Sequence, residues 1–238
     1  MNRQPTPIKV VIAGLFSLIL TLGVARFSYT PLLPVMMDST LLTDVTGGWL
    51  VTFNYMGYMC GALIAASISN LQLKDTLYRI GLIIAVVSTV GMALAENIWL
   101  WAIMRFIAGL SSATGLLIGS GLILNWLIRH QQRAELGLHF AGVGIGIAVS
   151  AIVAALMVDQ FSWSEQWIIF AVLGTVLVIP AWFWLPRPEK GVGGVTRSGV
   201  ILEDRPPPRK WLWTLYAAYF CAGFGYVISA TFLVTIVE

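Results

Sequence analysis

Two arginines lie inside long apolar runs of the sequence, away from the polar stretches that hold most of the charged residues. Arg26 falls in the first run and Arg105 in the fourth. An arginine at the centre of a membrane helix costs about 2.5–3.5 kcal/mol on insertion scales, so such residues usually face a cavity or a partner. Because a guanidinium fork matches a carboxylate or a phosphate, we predict that Arg26 holds an anionic group, with Arg105 as a second candidate.

A structural role is the alternative for both arginines. Each guanidinium could bond carbonyls at a helix end or extend outward to the membrane surface. Pro31 and Pro34 follow Arg26, and prolines free backbone carbonyls and favour a kinked helix end. Tyr29 lies in the same segment, so we include it among the candidate cavity residues.

Hydrogen-bonding side chains cluster in the second apolar run at Asn54, Tyr55 and Tyr58. Asn54 and Tyr58 are four residues apart and therefore share one face of a helix. We predict that the cluster lines the same cavity as Arg26. Hydrogen bonds between packed helices are the alternative.

The remaining candidates for proton chemistry are Glu135 and His139, at the beginning of the fifth run. They are one helical turn apart, so the carboxylate could bond the imidazole. Proton coupling and an interfacial capping pair both remain open for them. The sequence has only two histidines, which disfavours a multi-histidine metal site, and we predict no metal and no cofactor.

The composition assigns these residues to a membrane protein. Hydrophobic residues make up 58% of the 238 residues and charged residues 11%, against about 25% charged in soluble domains. The mean hydropathy is +0.84. Too few polar side chains exist to cover a water-exposed surface, so the lipid bilayer must be the solvent.

Seven apolar segments are long enough to cross a bilayer, which needs roughly 20 helical residues. They lie near 9–36, 45–68, 77–95, 98–127, 136–158, 166–186 and 211–237. A backbone in lipid must satisfy its own hydrogen bonds, so the sequence predicts helices, and it shows no strand-type alternation.

Basic residues predict the orientation. The segments on one side hold Arg and Lys residues. The loops on the other side hold no Arg or Lys, and their charged residues are all acidic: Asp38, Asp44, Glu96, Asp159 and Glu165. This separation predicts a cytoplasmic N-terminus. It also accounts for the pI of about 9.0 as a signal of topology, so we expect no binding to nucleic acid.

The segment 187–210 is rich in proline, glycine and charge, and predicts a cytoplasmic linker. We therefore predict a six-helix bundle over residues 1–186 and the first helix of a truncated second bundle over 211–238. The six helices would form two inverted three-helix repeats, since Arg26 and Arg105 share an Arg-Phe dipeptide and a similar depth in the outer half of the bilayer.

Three strings in these helices resemble the major facilitator superfamily. The string GVARFSYTPLLP, from Gly23 to Pro34, is similar to the first helix of its YbfB/YjiJ-type branch, a largely uncharacterised bacterial group. NYMGY, at 54–58, also resembles that branch, and RFIAGLSSA, at 105–113, resembles the Arg-and-Gly motif of the fourth helix. The resemblance implies about twelve helices in two halves, a central site and alternating access.

Two segments depart from the pattern of the superfamily. The loop after the second helix usually carries a Gly-Asp-Arg-Gly-Arg pattern that controls gating, whereas this chain has NLQLKDTLYR at 70–79. The fifth helix has GVGIG at 142–146 without the proline of the drug-antiporter motif. That departure argues against a proton-antiport drug exporter.

We therefore predict a permease of a bacterial inner membrane that moves a small solute, either an anion or an amphiphile, is not an enzyme, and assembles with a missing C-terminal half. The alternatives are a seven-helix receptor or sensor and a membrane scaffold without transport activity. The span 211–237 has no lysine for a Schiff base, which disfavours a retinal protein. The segment Ile118–Gly121 only partly matches the Gly-x-Ser-Gly of an intramembrane protease.

Overall fold

The computed structural model describes residues 6–188 and residues 208–221 other than 212 and 219. Within these residues, six helices are long and apolar enough to cross a membrane. They are α1 (Pro7–Ser39), α2 (Asp44–Ser67), α3 (Leu71–Ala93), α4 (Ile98–Arg129), α5 (Gly137–Met157) and α6 (Trp163–Phe183). All regular segments of the described residues are helical, which confirms the predicted all-α membrane fold.

Polar side chains fix where several helices begin. Thr43 accepts a hydrogen bond from the Thr46 amide at the start of α2, and Ser162 accepts one from the Glu165 amide at the start of α6. Both sites are capping boxes, in which the third residue of the helix bonds back to the cap. Such caps satisfy amides that have no partner within the helix.

The helices α1 and α4 are each interrupted by a π-helical segment. In α1 it spans Ile19–Phe27, and in α4 it spans Thr114–Gly119. A π segment carries i→i+5 hydrogen bonds, is rare, and occurs often at functional sites. The sequence patterns did not predict either interruption. Their occurrence in the first and fourth helices agrees with the expected equivalence of these two helices.

Glycines allow α2 to lie directly against α4. A Cβ atom on Gly57 would lie 1.9 Å from the carbonyl oxygen of Phe106, and one on Gly109 would lie 2.0 Å from that of Asn54. Both distances are far inside van der Waals contact, so the two backbones touch. This is the close packing that small residues permit between membrane helices.

The same kind of contact joins α5 to α1. A Cβ atom on Gly142 would lie 2.6 Å from the Leu15 carbonyl oxygen, and one on Gly23 would lie 2.6 Å from the Cα of Gly146. Thus α5 packs on α1 as α2 packs on α4. This pairing is the one that two inverted three-helix repeats would produce.

The helix α3 begins at Leu71, whereas the sequence predicted residue 77. Charged residues usually mark the loops of a membrane protein, but Asp75 and Arg79 are buried inside the helical region. The Arg79 Nε lies 3.0 Å from the Asp75 Oδ2, in an ion pair one turn apart. Asn70 caps the helix by accepting hydrogen bonds from the amides of Gln72 and Leu73.

The seventh predicted span, 211–237, lies mostly outside the described residues, as does most of the predicted linker 187–210. Residues 209–211, 213–218 and 220–221 are helical. They belong to a separate compact unit, in which Trp213 and Tyr216 make an edge-to-face contact at 6.2 Å between ring centroids.

The glycine contacts predict a position-specific cost of adding one methyl group. Gly109→Ala should lower the free energy of unfolding by about 1–3 kcal/mol, because the new Cβ meets backbone that cannot move aside cheaply. Gly144→Ala is the matched control, since no atom lies within 4 Å of its Cβ position. Unfolding of the purified protein in detergent, followed by circular dichroism, measures both. Equal loss of stability in the two variants would contradict the close contact between α2 and α4.

Candidate substrate-binding site

The Arg26 guanidinium lies among three aromatic rings. Its central carbon is 4.8 Å from the ring centroid of Tyr55, 5.0 Å from that of Tyr58 and 5.3 Å from that of Phe27. A cation over an aromatic face is stabilised by the ring quadrupole. Contact through the face of a guanidinium leaves its N–H groups, which lie in the plane, able to donate elsewhere.

Those N–H groups have no acceptor within the described part of the chain. No hydrogen bond or ion pair there involves the Arg26 side chain, and none involves the hydroxyl groups of Tyr55 and Tyr58. Arg26 is half-buried and Tyr55 is 54% exposed, so the group opens onto the surface of the bundle. Two phenols and a guanidinium thus present unused donors at one place.

The Arg105 guanidinium, in contrast, is hydrogen-bonded to the backbone of α1. The residue is 2% exposed, and its Nη1 and Nη2 donate to the carbonyls of Ala25 and Arg26 at 3.0 Å and 3.1 Å. Its guanidinium also lies 4.6 Å from the ring centroid of Tyr29. The Nε atom of Arg105 has no hydrogen-bond partner.

The Arg26 carbonyl lies where the register of α1 changes. Around the end of the π segment the register is i→i+5, as in the 3.0 Å bond from the Ser28 amide to the Gly23 carbonyl. In that register the partner of the Arg26 carbonyl is residue 31, which is proline and has no N–H. Arg105 donates to that carbonyl from the neighbouring helix.

Tyr29 and Asn54 are also engaged in contacts between helices. The buried Tyr29 hydroxyl donates to the Gly47 carbonyl at 3.0 Å and so joins α1 to α2. The Asn54 Nδ2 donates to the Arg105 carbonyl at 2.9 Å and joins α2 to α4. The structure therefore brings the six predicted cavity residues together, but in two layers. Arg26, Tyr55 and Tyr58 face outward, and Tyr29, Asn54 and Arg105 support them from behind.

The expected bond between Glu135 and His139 does not form. Glu135 is exposed and lies 3.9 Å from the Arg133 guanidinium, whereas His139 is fully buried, with its Nε2 2.8 Å from the Ser120 hydroxyl. The helical spacing failed here because α5 begins at Gly137. Glu135 precedes the helix, so the i,i+4 relation does not apply to the pair.

Asp75 and Arg79, in the segment 70–79, have a structural role that the sequence patterns did not predict. Beyond its ion pair with Asp75, Arg79 donates to the carbonyls of Trp182 at 2.6 Å and Leu185 at 3.0 Å. These bonds join the beginning of α3 to the end of α6. The spacing of Asp75 and Arg79, one turn apart beside an apolar run, was the available signal.

Comparison with known proteins identifies the family to which the chain belongs. The family model described as "Uncharacterised MFS-type transporter YbfB" matches residues 18–238. The chain belongs to this family of the major facilitator superfamily. It is accordingly a multi-pass membrane protein whose relatives are transporters.

Individual relatives agree with the family. The niacin transporter NiaP of Acinetobacter baylyi is 27% identical over 148 residues, which are 62% of this chain and 33% of that protein. The uncharacterised MFS-type transporter YE1530 of Yersinia enterocolitica is 23% identical over 220 residues, 85% of this chain and 56% of that protein. The chain thus spans between about a third and about half of the length of these relatives.

The different engagement of the two arginines predicts a difference in stability. Arg105→Gln should lower the free energy of unfolding by about 1–3 kcal/mol, because two carbonyls of α1 lose their charged donor. Arg26→Gln should lower it by less than about 1 kcal/mol, since only contacts with aromatic faces are lost. Thermal unfolding in lipid nanodiscs compares the two variants directly. A larger loss for Arg26→Gln than for Arg105→Gln would contradict this division of roles.

Proposed function

We propose that this chain forms one half of a secondary transporter that moves a small organic anion across a membrane by alternating access. Its family and its relatives support membrane transport. The observation that carries the choice of an anion is the half-buried Arg26 guanidinium, which no acceptor engages in the described part of the chain.

The charge balance around Arg26 favours an anion. Neither Arg26 nor Arg105 has a carboxylate partner among the described residues. Carboxylates of the described helices lie at helix ends, as with Asp38 and Asp44, or in the ion pair of Asp75. A positive charge in a site with little water is costly without a counter-charge, so an anionic substrate would stabilise the site.

We assign two roles to the six cavity residues. Arg26 would bind the carboxylate or phosphate of the substrate through its fork, and the hydroxyls of Tyr55 and Tyr58 would add neutral donors beside it. Tyr29, Asn54 and Arg105 would hold α1, α2 and α4 in the register that presents this group. The exposed Tyr55 ring also offers a flat apolar face, which suits a substrate with a planar body.

A second six-helix bundle would complete the pathway opposite Tyr55. The relatives are longer than the part of them that this chain matches, which supports such a partner, whether it lies in the same polypeptide or in another. We further propose a bacterial inner-membrane location with the N-terminus in the cytoplasm, on the strength of the asymmetry of basic residues. Glu135 and His139 are the proposed proton-coupling residues, both near the cytoplasmic end of α5.

The test uses nicotinate as the probe, because one relative is named as a niacin transporter and this molecule carries a carboxylate on an aromatic ring. Cells that express the whole gene should accumulate or exchange nicotinate or benzoate. Arg26→Gln should reduce the transport rate at low substrate by at least about tenfold, the effect of losing roughly 1.4 kcal/mol of binding. Arg26→Lys should recover only part of it, since an ammonium lacks the fork.

The control variant is Arg187→Gln, because Arg187 is an exposed arginine just beyond the end of α6. It should transport like wild type. The amides nicotinamide and benzamide, which lack the charge, should not compete with the acids. If Arg26→Gln folds and transports a panel of organic anions as fast as wild type, the proposed role of Arg26 is wrong.

A further inference from the structure

His139 lies where α1, α4 and α5 meet, and it is not part of the Arg26 group. It lies in the first turn of α5 and is fully buried. Its ring faces α4 through Ser120 and α1 through Gly14. A buried titratable ring at a junction of helices can couple protonation to the packing of those helices.

The hydrogen bonds around Ser120 favour one tautomer of the His139 ring. The Ser120 hydroxyl donates to the carbonyl of Leu116 inside the π segment of α4. Its oxygen is then the acceptor in the 2.8 Å contact with His139 Nε2, so Nε2 must donate. We assign the ring as the neutral tautomer with its proton on Nε2 and none on Nδ1, because Ser120 donates to Leu116.

The other ring nitrogen is buried without a partner. No hydrogen bond of standard geometry involves His139 Nδ1, and the backbone of Gly14 is the nearest polar group to it. A Cβ atom on Gly14 would lie 2.4 Å from Nδ1, which shows how closely the ring fits. The Gly14 carbonyl already accepts a bond from the Ser17 hydroxyl at 2.7 Å.

No charged group on the described parts of these helices faces the ring. On α1, Lys9 lies over the Trp184 ring at 5.4 Å. On α4, Arg129 is more than two turns beyond Ser120, about 13 Å along the axis. Before α5, Glu135 lies beside Arg133 at the surface. A second proton on His139 would therefore place a positive charge among apolar neighbours with no counter-charge.

A cavity of about 700 Å³ lies next to this junction, at the end of the bundle where α1 begins. Val11 and Leu138 line it; Val11 is one turn from Gly14, and Leu138 adjoins His139. Water from this cavity could reach Nδ1 only if α5 moves away from α1. The cavity thus supplies the solvent that a charged ring would need.

We propose that His139, Ser120 and Gly14 form a proton-controlled lock, called here the His139 lock. Neutral His139 closes the junction of α1, α4 and α5 by donating to Ser120 and by presenting a bare Nδ1 to Gly14. Protonation of Nδ1 opens the junction toward the neighbouring cavity, because a buried charge without a counter-charge requires water. The lock does not depend on the identity of the substrate or on the Arg26 group.

The experiment measures the opening by cysteine labelling in nanodiscs, on a background with Cys60→Ser and Cys221→Ser. Val11→Cys reports the buried side of the junction, and Gly137→Cys, on the exposed rim of the same cavity, corrects for the pH dependence of the thiol reaction. The maleimide rate at Val11→Cys, divided by that at Gly137→Cys, should rise at least about fivefold between pH 8 and pH 5.

His139→Gln is the decisive variant, because its amide can still donate to Ser120 but cannot take up a proton. In this variant the corrected rate should not change with pH. A flat profile with His139 present, or an unchanged rise in His139→Gln, overturns the lock.

A second measurement needs no change at His139. Histidine labelled with ¹⁵N, in a His130→Gln variant, gives the ring signals of His139 alone. At pH 8 we expect a proton on Nε2 and none on Nδ1. A proton on Nδ1 at pH 8 would overturn the lock. Because neither readout involves transport, their failure would leave the proposed binding of an anion at Arg26 untouched and would count only against the proton-coupling role of His139.

Discussion

The bond between Arg105 and the backbone of α1 is the interaction on which the rest of the site depends. A buried guanidinium in a membrane helix requires acceptors, and a π segment that ends near proline leaves carbonyls in need of donors. The two requirements meet at Ala25 and Arg26, 3.0 Å and 3.1 Å from the Arg105 nitrogens. One arginine is thereby committed to structure, and the other keeps its donors available.

The helices must lie close together for the Arg105 side chain to reach the backbone of α1. The glycines of α2 and α5 bring backbones into contact on α4 and α1, and in the centre the Ser112 hydroxyl donates to the Thr21 carbonyl at 2.8 Å. With bulkier residues at Gly57 or Gly109, α2 would stand farther from α4, and Tyr55 and Tyr58 would leave the face of Arg26. The close packing of the helices therefore determines whether the tyrosine rings contact Arg26.

Much of the fold could be predicted from the sequence, because membrane spans depend on length and hydropathy. Five of the spans begin within three residues of the prediction, but α3 begins six residues early since Asp75 and Arg79 neutralise one another inside the protein. Helical spacing placed Asn54 and Tyr58 on one helix face, but the contact of Arg26 with the rings of Tyr55 and Tyr58 required the structure. The partners of Arg105 are backbone carbonyls, which carry no signal in the sequence, and the π segments depend on contacts between helices. For the same reason the pairing of His139 with Ser120, rather than with Glu135, required the structure.

We propose that an anion binds to Arg26 while Arg105 stays hydrogen-bonded to α1. Guanidinium ¹⁵N resonances of both arginines, recorded in nanodiscs while nicotinate or benzoate is added, test this directly. We expect the Arg26 signals to shift with saturation while those of Arg105 keep their positions and remain protected from solvent exchange. Shifts at Arg105 without shifts at Arg26 would contradict the account.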